Sequence, residues 1–181
     1  MPSTLQPLGV IIGDYDVRYF QPTAAQTFKD RDWLIWDPAG TVSIAATAGA
    51  AGGVGNVKMV GMSLGNAADV LALTDTKLRR VPVCVPRSYT EFVFPYLGSA
   101  GNATPTSGTF SLTDLDVPTE VDLIYTTTSV WAVSSADTTN PKFRIMGLWG
   151  VSERNNNYGT ASVFPYVRVR PILSAFTFSG A

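Results

Sequence analysis

The chain has 181 residues, a formal net charge of -1 from 13 basic and 14 acidic side chains, one Cys and no His. That length suits one domain with a substantial core, and so balanced a charge supplies none of the positive potential that draws a phosphate backbone or an anionic membrane, so neither is an expected partner. The absence of His removes the usual zinc patterns and the usual base for a serine nucleophile, so no metal and no cofactor is expected.

With 45% hydrophobic residues, 15% charged, 16 Gly and 12 Pro, the composition favours a loop-rich all-β protein. No basic-then-apolar leader is visible and no apolar run approaches ~18 residues, so the expectation is a soluble chain made in a cytoplasm. The lone Cys84 lies in the alternating run Val81, Val83, Val85, where a small buried thiol is the plain reading.

Residues 1–26 carry Ile11, Ile12, Tyr15, Val17, Tyr19 and Phe20 interleaved with Asp14, Asp16 and Arg18. Pro2, Pro7 and Pro22, with Gly9 and Gly13, argue against a helix and weaken a central-strand reading. An extended arm over 1–26 is therefore expected beside a single β domain over 27–181. Ile12, Tyr15, Val17, Tyr19 and Phe20 would be its apolar anchors if it added as a strand to an exposed sheet edge on a partner. An ordinary first strand of the domain is the alternative.

Residues 27–44 read as a β-hairpin. Trp33, Leu34, Ile35 and Trp36 put a Trp and an aliphatic on each face of an extended segment, so both faces need cover. Asp37, Pro38, Ala39 and Gly40 carry the chemistry of a type I turn. Val42 and Ile44, alternating with Thr41 and Ser43, then form the return strand. Trp33, Ile35 and Trp36, with Trp131 and Trp149 farther on, are the predicted core.

The Ala/Gly-rich stretch 45–56 offers little side chain to pack and is expected to be a mobile loop, with no phosphate-loop spacing. A strand over 57–64 follows, and Asn66 could cap one short helix reaching Leu73. Between them Gly61-Met62-Ser63-Leu64-Gly65 matches the G-x-S-x-G nucleophile elbow. Serine needs a base to take its proton, and a chain without His cannot assemble the usual triad, so a serine hydrolase ranks low.

Asp30 with Asp32, Asp114 with Asp116, and Glu120 with Asp122 are spaced i, i+2, which on a strand sets carboxylates on one face at about 7 Å, within reach of glycosidase geometry. Their place beside turn signals such as Pro118 makes solvated polar faces the simpler reading. Lys77, Arg79, Arg80 and Arg87, and the alternating Arg168 and Arg170, mark two basic faces. These are solvated strand surfaces or contacts for an acidic protein.

Further strands are expected at 81–85, 91–96, around Phe110 and Leu112, at 121–125, 130–133, 142–149 and 161–169. The loops 99–108, 134–141 and 152–159 separate them, so a compact antiparallel β-barrel or β-sandwich with at most one short helix follows.

Several motifs recur in order. Thr27-Phe28-Lys29 precedes an apolar strand and a Gly-bearing turn, followed by Val60-Gly61 and Val81-Pro82-Val83. Trp131 and Val133, Asp137-Thr138-Thr139-Asn140, the run 143–149, Asn157-Tyr158-Gly159 and the run 163–171 close the chain. This order resembles the capsid decoration (head-stabilising, cement) proteins of tailed phages. Where that pattern commonly has Gly-Asp, this chain has Arg31-Asp32.

The resemblance implies a non-enzymatic β domain on the outer surface of a virion head. It would be a homo-oligomer, with a trimer at local three-fold positions favoured, bridging major capsid protein subunits. Ile12, Tyr15, Val17, Tyr19 and Phe20 would then be capsid-binding. A lectin-like or adhesion β-sandwich is the alternative from another class.

Overall fold

The computed structural model describes residues 11–45, 52–53, 57–97, 120–126, 130–135, 140–149 and 166–177. The expected strand at Phe110 and Leu112, the Asp114 and Asp116 pair, and the loops 99–108 and 152–159 lie outside the described residues. Asp137-Thr138-Thr139, Asn157-Tyr158-Gly159 and most of the 45–56 stretch do too.

The described residues form an antiparallel β-sandwich. In chain order its strands are β1 (Ile11–Ile12), β2 (Tyr15–Phe20), β3 (Trp33–Trp36), β4 (Val42–Ile44), β5 (Gly52–Gly53) and β6 (Met59–Ser63). Then come a five-residue helix α1 (Ala67–Leu71), β7 (Val81–Pro86), β8 (Glu91–Pro95), β9 (Glu120–Tyr125), β10 (Trp131–Ser134), β11 (Phe143–Trp149) and β12 (Tyr166–Pro171). Short 3-10 turns lie at Thr76–Leu78 and Leu173–Ala175.

One sheet has seven strands in the order β1-β8-β12-β11-β9-β10, with β5 paired to β9. The other has five, in the order β2-β7-β6-β3-β4. The smaller sheet curls until Pro22, just past β2, meets Val42 of β4 in a single parallel bridge. The sandwich is nevertheless not a closed barrel.

The hairpin forms as its residues dictate. Gly40 N–H donates to the Asp37 carbonyl at 2.9 Å, Asp37 Oδ1 accepts from Ala39 N–H at 3.0 Å, and Gly40 takes φ +76°. The four residues of β3 then split by parity. Trp33 and Ile35 join the cluster between the sheets, while Leu34 and Trp36 join a second cluster on the far face of the smaller sheet. That second cluster includes Phe28, Val60, Val81, Val83 and Val85, with Ala67 of α1 as part of its cover.

Trp33 is the centre of the inter-sheet core. It is fully buried, with ring centroids of Phe92 at 4.9 Å, Phe143 at 5.2 Å, Phe94 at 5.8 Å and Phe176 at 6.2 Å. Trp131 is buried 4.7 Å from Tyr125. Ile35, Trp36 and Trp149 are only half-buried, so these three sit at the margins of the packing rather than at its centre.

The arm reading is corrected for the residues the structure describes. Ile11 and Ile12 pair with Phe92 and Glu91 of β8, and residues 15–20 pair along β7 from Pro86 back to Val81. One segment thus supplies an edge strand to each sheet, and Gly13 makes the crossing. Its φ of +81° is one that side-chain-bearing residues rarely adopt, and a Cβ there would stand 2.6 Å from the Tyr89 carbonyl oxygen. Gly13 thus marks a change of sheet rather than a break from the domain.

The Ala/Gly stretch also differs in part from a loop, because Gly52 and Gly53 pair with Tyr125 and Ile124.

Candidate functional site

Strand β2 ends the five-stranded sheet, and among the described residues it pairs only with β7. Residues directly opposite one another in a sheet share a face. Tyr15, Val17 and Tyr19 therefore share the face of Pro86, Cys84 and Pro82, while Asp16, Arg18 and Phe20 share that of Val85, Val83 and Val81.

Cys84 belongs to the inter-sheet core, yet Tyr15, Val17 and Tyr19 beside it are 40%, 47% and 60% exposed. A row of three apolar side chains thus stands open along one edge. The five residues expected to act together as anchors separate here. Phe20 packs edge-on against Trp36 at 5.2 Å, and Ile12 is half-buried in β1 opposite Glu91 of β8, so neither stands in the open row.

On the opposite face of β2, Asp16 accepts a hydrogen bond from Arg87 Nη2 and lies 3.8 Å from Arg18 Nη2. The bond from Arg87 to Asp16 and the field of that carboxylate hold the guanidinium above its ordinary pKa.

The remaining candidates resolve into structural roles. Ser63 is fully buried at the end of β6, and its hydroxyl donates to the Gly65 carbonyl at 2.5 Å. Gly61 is required by close approach, since a Cβ there would lie 2.2 Å from the Cys84 carbonyl oxygen. The G-x-S-x-G match is thus a tight strand contact followed by a turn. Asn66 sits at the start of α1 but does not cap it; its amide donates to Asp69 and its oxygen accepts from Asp30 N–H.

Among the carboxylate pairs, Glu120 binds Arg144 at 2.8 Å and Asp122 is fully buried, accepting from Leu123 N–H. The described residues hold no group of three or more His, Cys, Asp or Glu placed to bind a metal ion. The basic faces are largely paired: Arg168 and Arg170 reach Glu91 at 3.5 and 2.8 Å, and Arg79 Nε donates to the Leu73 carbonyl. Burial pushes the Cys84 thiol up to about 12.

One connection escaped the sequence reading. Asp32 accepts from Lys29 N–H at 2.7 Å and from Trp131 Nε1 at 2.9 Å, tying the turn before β3 to β10 of the other sheet. Arg31 beside it has φ +73°, the left-handed conformation that Gly adopts without strain.

No family model, curated protein or solved structure matched this chain.

Proposed function

We propose that this protein is a virion structural protein, a capsid decoration protein that binds the outer surface of a major capsid protein lattice and stabilises the expanded head. The observation that carries this reading is the open row Tyr15, Val17 and Tyr19 on an edge strand. Clustered apolar side chains on one edge are the kind of surface that a protein partner covers. The resemblance in motif order supplies the kind of partner. A trimer at local three-fold positions is the assembly this reading favours, because several copies engaging neighbouring subunits at once turn a weak single contact into firm attachment.

The test mixes purified protein with undecorated expanded heads and images them. Wild type should add regular external density, and the variant carrying Tyr15→Thr, Val17→Thr and Tyr19→Thr should fold but leave heads bare. Heads that stay bare with the wild type, or binding by free protein to a glycan array that competes with head attachment, would sink the reading in favour of a lectin-like module.

A further inference from the structure

The β2 edge carries its own register code. A second copy that pairs antiparallel with β2 across a two-fold axis normal to the sheet keeps like faces together. Only partners of equal parity then stand opposite. With Val17 facing Val17 of the second copy, Tyr15 faces Tyr19, and Asp16 faces Arg18 twice.

A slip of two residues to either side places Asp16 against Asp16 or Arg18 against Arg18. Opposite charges directly across a ladder stabilise it and like charges destabilise it, so within Tyr15–Phe20 the pattern favours one register over its neighbours. Only outside the strand, in the Asp16 slip, would Asp14 stand opposite Arg18. Tyr15–Phe20 contains no Pro and no Lys, its charges being Asp16 and Arg18, and the bridge to β4 begins only past its end, at Pro22.

We propose that this protein self-associates through β2, the two five-stranded sheets joining edge to edge in the register that puts Val17 opposite Val17. Asp16 keeps its neighbours Arg87 and Arg18 and gains a third cation, Arg18 of the other copy. Joining doubles the row of Tyr15, Val17 and Tyr19 on one continuous face. The contact is two-fold, so on a lattice of three-fold oligomers it would lie between neighbouring oligomers.

The association is measured in solution by sedimentation equilibrium across the micromolar range, without heads, so its outcome is separate from that of the decoration reading. Wild type should form a reversible dimer. Asp16→Arg and Arg18→Asp should each weaken it by at least about tenfold, by setting like charges opposite twice. An equimolar mixture of the two variants should pair as well as wild type, because each then meets its opposite. Melting curves of both variants check that the domain is intact.

Register is read by disulfide formation: Val17→Cys should cross-link copies, and Tyr15→Cys alone should not. A wild type that stays monomeric throughout the range, single variants that associate like wild type, or a mixture with no recovery would overturn the proposal. A monomer whose Asp16→Arg variant loses only head attachment would assign the edge to a capsid strand instead.

Discussion

Two tryptophans three residues apart in one strand have different fates because a strand alternates its faces. Trp33 faces the inter-sheet core, ringed by four phenylalanines, whereas Trp36 lies half-exposed between Phe20 and the Thr177 carbonyl. Trp33→Ala should therefore lower stability by about 3–5 kcal/mol and Trp36→Ala by about half that or less. Urea unfolding of the two variants is the check, and equal losses would show that the burial difference has no energetic weight.

Cys84 gives a residue-scale dependence on pH. Its folded pKa is raised from 9.0 to about 12 by burial, so above pH 9 the unfolded chain releases a proton that the folded chain keeps. Stability from this group is fully present below pH 9 and declines by roughly 1.4 kcal/mol per pH unit as pH rises toward the folded value. Wild type should lose stability faster than Cys84→Ala over that alkaline range, and parallel curves would contradict the assignment.

At the scale of the element, β2 illustrates how one segment reads two ways. Its alternating apolar and charged residues are those of a strand, and in the fold it covers the edge of β7, whose Val81, Val83 and Val85 are buried. Deleting residues 1–22 removes β1 and β2 together, uncovers that edge and takes Phe20 from Trp36. The truncated chain should fail to fold or melt far below wild type. An unchanged melting temperature would restore the detached arm that the sequence alone suggests.

At the scale of the whole molecule, the sheets are held by the apolar layer and by a polar tether at its margin. The bond from Trp131 Nε1 to Asp32 joins residues 99 apart in sequence and spans the two sheets. Hydrogen bonds to charged groups contribute about 1.5–3 kcal/mol, so Asp32→Ala should destabilise the protein by about that amount. Asp32→Asn, which retains an acceptor oxygen, should recover part of the loss in the same thermal or urea measurement.

The all-β class and most strand positions were legible because period-two alternation and turn residues act locally. Asp37 through Gly40 encode their turn wherever they stand, and Trp33 to Trp36 require cover on both faces. Which face is covered more completely depends on residues far along the chain, so Trp33 and Trp36 looked equivalent until Phe92, Phe143 and Phe176 had places. The same limit applies to the candidate site. Five apolar residues near the amino terminus read as one set, but three stand exposed on β2 while Ile12 is half-buried on β1 opposite Glu91 and Phe20 packs on Trp36, a division set by which neighbours β7, β8 and Trp36 provide. Alternation along a strand is a property of the chain, whereas the depth at which each alternate residue lies is a property of the sheets that meet around it.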